Sequence, residues 1–247
     1  MNLVIVGYGR MGREVEAVAK ARGHEIVARV DPDGGDEPTL TPESAGRADV
    51  AVEFSLPEAA VPNAELYSNS GLSAVVGTTG WYDRLDEVRA LVEAGGAALI
   101  YGSNFSVGAH MYFRLVAHAA RLINSVPDYD VLGYEIHHRR KKDSPSGTAL
   151  SISDLILNGC DRKTEVVTEK LDRAILPHEL HMASVRGGEM PGVHSVMLDS
   201  EADTIELRHT VRTRRGLALG AVMAAEWVQG KRGFFRVEEF IDDVFEK

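Results

Sequence analysis

Residues 4–15 read "VIVGYGRMGREV" and place three glycines, Gly7, Gly9 and Gly12, between an apolar run and a helical pattern. A side chain at these positions would block a tight turn and the approach of a pyrophosphate to the helix start. The spacing alone is a weak signal, but its place after a strand and before a helix strengthens it. The stretch therefore predicts a dinucleotide site.

The chain around this stretch alternates short apolar runs with helical patterns. Strands are predicted at 3–7, 25–31, 49–55, 73–80 and 97–104, and helices at 12–23 and 86–95. Such alternation is typical of an α/β fold with a parallel sheet wound with helices. We expect a Rossmann-type, doubly wound parallel sheet, with the Pro- and Gly-rich stretch 31–44 as a surface loop.

The pattern changes after residue 105. Helices are predicted at 107–124 and 147–158, and strands at 128–138, 181–187, 192–199 and 203–211. Consecutive strands without helices between them indicate a second, α+β domain with a mixed or antiparallel sheet. Helices at 215–230 and 237–246 end the chain. We predict a dinucleotide-binding domain of 1–105 with 215–247, a substrate-binding and oligomerisation domain of 106–214, and hinges near 104–107 and 212–216.

Asp31 ends the second predicted strand, where a carboxylate can accept hydrogen bonds from a ribose 2′-hydroxyl. The same carboxylate would repel a 2′-phosphate, and Pro32 follows it instead of an arginine. The sequence therefore favours NADH over NADPH, with Arg10 or Arg29 as the alternative route to a phosphate.

Two further strands end in small polar residues, in "GTTG" (77–80) and "GSNF" (102–105). Ligands of doubly wound sheets bind at the carboxyl ends of the strands. Small residues there let a nicotinamide ring lie close to the backbone, and threonine or asparagine can bond its carboxamide. Each segment alone would be read as a plain turn; together they favour a binding function.

Composition limits the other classes of function. The chain has 247 residues and a formal net charge of −10, which argues against general nucleic-acid binding. The lone Cys160 is read as an inert apolar residue in a reducing compartment. No apolar run is long enough for a membrane span, and the start "MNLVIVG" is too short for a signal peptide. We expect a cytoplasmic protein with no membrane partner.

Residues 135–150, "EIHHRRKKDSPSGTAL", gather positive charge before a predicted helix. Adjacent histidines on a strand point to opposite faces, and no cysteine or histidine lies at ligand spacing, so no metal is predicted. Ser146 is a suitable N-cap for a helix opened by Gly147 and Thr148, whose free N–H groups attract an anion. With Lys141 or Lys142 nearby, the stretch predicts a carboxylate or phosphate site; a solvated basic loop is the alternative.

These motifs together resemble a known family. "GRMG", "GTTG", "SNFSVG" and "EIHH" followed by Lys141, Asp143 and "PSGTA" are similar to dihydrodipicolinate reductases, and the resemblance runs in order across most of the chain. Ser144 stands where the family often has alanine, and the glycine loop is one residue shorter than in many members.

The resemblance implies NAD(P)H-dependent reduction of 4-hydroxy-tetrahydrodipicolinate to tetrahydrodipicolinate with loss of water, in diaminopimelate and lysine biosynthesis. It implies a homotetramer. His137 matches the catalytic proton donor or acceptor and Lys141 a second proton donor, while the matching substrate contacts are His138, Gly147, Thr148 and Arg214. The matching cofactor contacts are Gly7, Tyr8, Gly9, Arg10, Met11, Gly12, Asp31, Gly77, Thr78, Thr79, Gly102, Ser103, Asn104 and Phe105.

Three other interpretations stay open from the sequence. An amino-acid or sugar dehydrogenase would share the glycine motif but lack the His137–Thr148 pattern. A dinucleotide-sensing or scaffolding protein would bind cofactor without turnover. A nucleic-acid binder would depend on Arg139 to Lys142 alone, against the acidic balance of the chain.

Overall fold

The computed structural model describes residues 1–246. The chain forms two compact units, one of residues 1–107 with 214–247 and the other of residues 108–213. Each unit has its own sheet and its own apolar core.

The first unit contains a parallel sheet of six strands, in the order β11-β5-β4-β3-β1-β2. The order reverses beside β1, because β2 lies on one side of it and β3 on the other; such a reversal is where doubly wound sheets bind ligands. The strands are β1 (Asn2–Val6), β2 (Glu25–Val30), β3 (Val50–Glu53), β4 (Ser73–Val76), β5 (Ala98–Tyr101) and β11 (Gly233–Arg236).

Helices cover both faces of this sheet. One apolar core joins the sheet to α1, α7 and α8, and a second core joins the other face to α2, α3 and α4. Parallel strands are buried on both sides, which explains their continuous apolar runs. The helices are α1 (Arg10–Ala21), α2 (Pro42–Gly46), α3 (Pro57–Ser70), α4 (Leu85–Gly95), α7 (Arg215–Val228) and α8 (Val237–Phe245), with a short 3₁₀ helix at Tyr82–Arg84.

The predicted doubly wound parallel sheet is confirmed, with differences at the strand ends. Strands predicted to run to residues 80 and 104 stop at Val76 and Tyr101, so "GTTG" and "GSNF" are loops at the carboxyl edge. The edge strand β11 was missed because its four residues follow a helix and carry no alternating pattern. The stretch 31–44 was predicted as loop alone; Pro42 begins α2, which Thr41 caps.

The second unit contains a mixed sheet of five strands, in the order β10-β9-β6-β8-β7. β6 runs antiparallel to β9 and parallel to β8, so the predicted mixed sheet is confirmed. The strands are β6 (Asp130–His137), β7 (Glu165–Val167), β8 (Glu179–Arg186), β9 (Val193–Asp199) and β10 (Thr204–Thr210), with the helices α5 (Val107–Asn124) and α6 (Gly147–Gly159).

Both helices pack on one face of this second sheet. Their apolar residues form a core with Val131, Met182 and Val196, and Cys160 is fully buried there as an apolar residue. On the opposite face Leu132 and Val185 are exposed. Across residues 1–246, the structure has no helix of the length and apolarity that a bilayer crossing requires.

Candidate active site

The glycine loop of the first unit lies at the carboxyl end of β1. Gly7 has φ +88°, and a Cβ there would lie 2.2 Å from the Phe54 carbonyl oxygen; a Cβ on Gly12 would lie 2.3 Å from the Gly7 carbonyl oxygen. These two glycines are required by the protein's own backbone. Gly9 differs, because a Cβ on it would meet nothing within 4 Å. Its open space faces the start of α1, which no side chain caps.

Asp31 directly follows β2 and is bonded into the loop. Its carboxylate accepts hydrogen bonds from the backbone N–H groups of Tyr8 (2.8 Å) and Asp33 (3.0 Å). The carboxylate is thus fixed beside the glycine loop, where the sequence predicted a ribose contact.

The predicted alternative for a phosphate, Arg29, is engaged elsewhere. Its guanidinium bonds the Glu16 carboxylate through Nε (2.9 Å) and Nη2, and the Asp36 carboxylate through Nη1 (3.0 Å). Hydrogen bonds from the Arg29 guanidinium hold the pKa of the Glu16 carboxyl well below its usual range, although burial acts to raise it. Arg10 is exposed at the first position of α1, and Arg13 lies 4.7 Å from the centroid of the Tyr8 ring.

The loop after β4 turns one threonine inward. Thr78 is buried, its hydroxyl accepts the Ser55 N–H (2.8 Å), and its carbonyl accepts the Trp81 indole N–H (2.8 Å). Thr79 is exposed. Of the two threonines predicted to face a carboxamide, Thr79 is therefore the one whose side chain is open to a ligand.

The glycines at these strand ends serve internal packing. A Cβ on Gly77 would lie 2.1 Å from the Phe54 ring, and one on Gly102 would lie 2.5 Å from Val237. The packing of these neighbouring side chains therefore requires glycine at both positions. After Gly102, Ser103 is exposed, Asn104 accepts the Ser106 N–H (2.9 Å), and the Phe105 ring is buried in the core.

The second unit brings ionisable groups together on one face of its sheet. Register places His209, His194, Glu135 and Ser184 side by side on β10, β9, β6 and β8. His137 lies two residues beyond Glu135 on the same face, because side chains alternate along a strand. The rings of His137 and His194 are 5.1 Å apart, edge to face, and both are buried.

Glu135 is the hydrogen-bond centre of this cluster, and its side chain is fully buried. One carboxylate oxygen accepts from the Ser146 N–H (2.9 Å), the Ser184 hydroxyl (2.8 Å) and the Arg186 guanidinium (2.7 Å). The other accepts from the Ser146 hydroxyl and lies 3.3 Å from His137 Nδ1 and 3.4 Å from His194 Nε2.

The environment sets opposite protonation tendencies on neighbouring groups. Burial alone would raise the pKa of the Glu135 carboxyl, but hydrogen bonds from His194, Ser146 and Arg186 hold it below the usual range. Burial lowers the pKa of His137 to about 4; Glu135 opposes this shift, and His194, Lys141 and Arg186 add to it. The free protein therefore holds an ionised Glu135 beside a neutral His137 at neutral pH.

The four cations of the basic stretch have different surroundings. Arg139 and Arg140 are strongly exposed and pair with Glu189 at 3.2 and 2.5 Å, an arrangement that contributes little stability. Lys142 is exposed. Lys141 is partly covered, and its Nζ bonds the Asp143 carboxylate at 2.8 Å. Of the four, Lys141 is thus the one held near the buried cluster, where its charge lowers the pKa of His137.

The start of α6 has the predicted open N–H groups. The Ser146 hydroxyl caps the helix by accepting the Ala149 N–H (3.2 Å). A Cβ on Gly147 would meet nothing within 4 Å. Gly147 and Thr148 occupy the first two helical positions, whose N–H groups have no partner within a helix. This end of the helix can therefore receive an anion.

Glu135, His137 and His194 also carry atoms that metals use, and these atoms lie within 4.8 Å of one another. His194 comes from a distant strand, so the search for ligand spacing along the sequence missed it. The Arg186 guanidinium lies 2.7 Å from the same carboxylate and opposes a second cation there. We assign no metal to this cluster.

Two predicted substrate contacts, His138 and Arg214, lie outside the hydrogen-bonded cluster around Glu135. His138 follows the last residue of β6 and is partly buried. Arg214 is exposed and is the first residue of the segment that returns to the first unit. The predicted substrate-binding domain had included it as its last residue. Sequence reasoning missed Glu135, His194 and Arg186, although Glu135 stands in the quoted motif, because strand pairing and not sequence spacing joins them.

Comparison with known proteins identifies the family. The N-terminal model of dihydrodipicolinate reductase matches residues 1–105, and the C-terminal model matches residues 108–241. The chain belongs to the dihydrodipicolinate reductase family. It is 38% identical to the 4-hydroxy-tetrahydrodipicolinate reductase of Christiangramia forsetii over 99% of both chains. It is 34% identical to that of Archaeoglobus fulgidus, over 95% of this chain and 96% of the other.

Solved structures agree on the fold. Dipicolinate-bound dihydrodipicolinate reductase from Paenisporosarcina sp. matches with a TM-score of 0.75 and 22% identity, over 96% of this chain and 97% of that one. An engineered D-amino acid dehydrogenase bound to NADP⁺ matches with a TM-score of 0.54 and 16% identity, over 100% and 99%. The recognised family, the fold class and the oxidoreductase class predicted from sequence are confirmed.

Proposed function

We propose that the protein reduces 4-hydroxy-tetrahydrodipicolinate to tetrahydrodipicolinate with loss of water, using NADH or NADPH, in diaminopimelate and lysine biosynthesis. The observation that carries the proposal is the buried Glu135–His137 cluster beside the open start of α6, in a chain that also has a dinucleotide fold. The activity in the names of its relatives supports the same assignment.

The residues of the first unit fit a dinucleotide. The open space at Gly9 and the uncapped start of α1 suit a pyrophosphate, and Asp31 suits a ribose hydroxyl. Thr79, Ser103 and the loop backbone are the groups open to a nicotinamide. When bound, the reduced nicotinamide supplies a hydride.

The residues of the second unit fit a small dicarboxylate. The N–H groups of Gly147 and Thr148 would bind one substrate carboxylate. Lys141 would bind the other carboxylate or donate a proton near it. Lys141 must then exchange its bond to Asp143 for a bond to the substrate. His138 and Arg214 are further substrate contacts of this proposal.

His137 would hold or donate the proton that accompanies reduction. Its imidazole is neutral in the free protein, since its pKa is about 4. Two substrate carboxylates would add negative charge beside it and raise that pKa. Protonation of His137 would then be coupled to substrate binding.

The surroundings of Asp31 favour NADH. Its carboxylate would repel a 2′-phosphate, and Arg29 is held by Glu16 and Asp36. We expect Asp31→Asn to raise the ratio of kcat/KM with NADPH to kcat/KM with NADH by roughly tenfold, the equivalent of about 1.4 kcal/mol. Steady-state kinetics with both cofactors checks this; an unchanged ratio would remove Asp31 from cofactor selection.

The assembly belongs to the same proposal. The face of the second sheet that neither helix covers carries the exposed Leu132 and Val185, and pairing of subunits there would bury it. We infer a cytoplasmic homotetramer, as the family resemblance implies; sedimentation velocity measures its size.

One assay tests the activity. The purified protein is coupled to a dihydrodipicolinate synthase, which supplies the unstable substrate, and oxidation of NADH or NADPH is followed at 340 nm. Oxidation that depends on both proteins is expected. Binding of NADH without oxidation would favour a sensing protein instead, and oxidation with an unrelated imine would favour another dehydrogenase.

A further inference from the structure

A buried carboxylate lies beneath the dinucleotide loops of the first unit. Glu53 is the last residue of β3, has no exposed surface, and lies between Val6 of β1 and Val76 of β4. These two neighbours are the last strand residues before the glycine loop and the 77–80 loop. Glu53 has no place in the proposed chemistry, and its burial requires an explanation.

The segment that follows Glu53 contacts both loops. The Phe54 carbonyl lies against Gly7, and the Phe54 ring lies against Gly77. The Ser55 N–H bonds the Thr78 hydroxyl at 2.8 Å. We call residues 53–55 the bridging segment. Its position therefore fixes the glycine loop and the 77–80 loop relative to each other.

Hydrogen bonds from neutral groups hold the carboxylate of Glu53. Ser55 Oγ donates to it at 2.5 Å, Tyr67 OH at 2.7 Å and Asn63 Nδ2 at 3.1 Å. No cation or second carboxylate is among the groups that shift its pKa. Tyr67 is the titratable side chain bonded to it, and burial raises the pKa of that phenol so that it stays neutral. His24, the histidine of the first unit, is bonded to Glu226 before the amino end of β2, at the opposite edge of the sheet.

We propose that Glu53 is a positioning residue through which dinucleotide affinity depends on pH near neutrality. The inference rests on the proposed function, since it requires a dinucleotide at these loops. A neutral Glu53 would not repel the anionic pyrophosphate, whereas an ionised Glu53, buried beneath the loops, would repel it. Burial raises the pKa of Glu53 to about 7, so the change falls in the physiological range.

Linkage gives the direction of the effect. If NADH binding favours the neutral Glu53 carboxyl, the protein takes up a fraction of a proton for each NADH bound near pH 7. By the same coupling, a lower pH strengthens NADH binding. The NADH affinity of the wild-type protein should fall by roughly fivefold from pH 6 to pH 8.5, the size expected for repulsion by one partly screened charge.

The test compares two neutralising substitutions. Glu53→Gln keeps the size and an acceptor oxygen but cannot ionise, while Glu65→Gln removes an exposed carboxylate on the same helix that carries Asn63 and Tyr67. NADH dissociation constants are measured by fluorescence from pH 6 to pH 8.5. Glu53→Gln should bind with the low-pH affinity of the wild type at every pH, and Glu65→Gln should keep the wild-type slope.

Calorimetry of the wild-type protein supplies a measurement without any variant. NADH is titrated at pH 7 in buffers of different ionisation enthalpy, and proton uptake is expected. No uptake, an equal pH slope in Glu53→Gln, or an affinity loss in Glu53→Gln that is the same at every pH would overturn the inference while leaving the proposed function intact. Absence of NADH binding at any pH would contradict both.

Discussion

At the scale of single residues, the second unit keeps a charged carboxylate and an uncharged imidazole within 3.3 Å. Glu135 stays ionised because hydrogen bonds satisfy it, and His137 stays neutral because burial and the cations Lys141 and Arg186 disfavour its charged form. His137 would therefore take up the proton that it donates when the negative charge of the substrate binds beside it.

The titration midpoint of His137 should depend on whether a dicarboxylate is bound. In the free protein its imidazole should titrate near pH 4, and binding of pyridine-2,6-dicarboxylate, a stable dianion, should shift the midpoint upward by about one unit or more. NMR of ring carbon-bound protons measures both midpoints, with His137→Gln to assign the signal. An unchanged midpoint in the complex would show that the ligand's charge does not reach His137.

Glu135→Gln should weaken both stability and catalysis. The variant leaves the Arg186 guanidinium without a counter-ion and removes the carboxylate that lies beside His137 and His194. We therefore expect a loss of roughly 3 kcal/mol in unfolding free energy. Because the folded pKa of Glu135 is lowered, its contribution is present above the unfolded pKa and is lost as pH falls. Urea unfolding followed by circular dichroism should show the wild-type advantage shrinking below about pH 4.5. An advantage that does not change with pH would contradict this assignment.

Single residues show where sequence reasoning succeeds and where it stops. The Ser146 cap was predicted from local pattern, whereas His137 and Lys141 were selected by the family resemblance, because the pattern alone left Lys141 and Lys142 equivalent. His194 and Arg186 meet Glu135 only through the pairing of β9 and β8 with β6. The inward turn of Thr78 follows from its bond to Ser55, which sequence spacing does not reveal.

At the scale of elements, an open glycine lies at the start of one helix in each unit. Gly9 precedes α1 and Gly147 begins α6, and neither would bring a Cβ within 4 Å of another group. The space above each is therefore not needed for packing. A ligand anion that approaches the helix start would use it.

Alanine at these positions should separate the two ligands. Gly9→Ala should raise KM for NADH by roughly tenfold, and Gly147→Ala should raise KM for the substrate by a similar factor, as expected for about 1.4 kcal/mol of lost binding. Neither should lower the melting temperature appreciably, because no contact is broken. Steady-state kinetics and thermal scans check both. If Gly147→Ala raised KM for NADH alone, the assignment of the two helix starts would be wrong.

Element prediction from sequence depended on the strength of the periodic pattern. The bounds of α5 were predicted to the residue because its 18-residue apolar periodicity has no competing pattern. α3 was not predicted as a separate helix; its interior Pro62 and weakly one-sided apolar pattern hide it. The short edge strands β7 and β11 offered too few residues for alternation to be visible.

At the scale of the whole molecule, a chain of net charge −10 is expected to bind two anionic ligands. Its overall field opposes them, so each of the two proposed ligand sites has to supply local positive potential. The first unit supplies a helix start, and the second adds Lys141 and Arg186 to another. The doubly wound and mixed sheets were predictable from the alternation of elements, whereas these local fields required the contacts.

The central claim is that His137 and Lys141 perform proton transfer on a dicarboxylate while the first unit binds the dinucleotide on its own. The most direct test is kcat/KM of the His137→Gln/Lys141→Ala double variant in the coupled synthase assay, with its NADH dissociation constant measured on the same preparation. We predict a loss of more than about a thousandfold in kcat/KM, at the scale of two general-acid contributions, with NADH affinity unchanged. A double variant that retains kcat/KM within a few-fold of the wild type would contradict the claim.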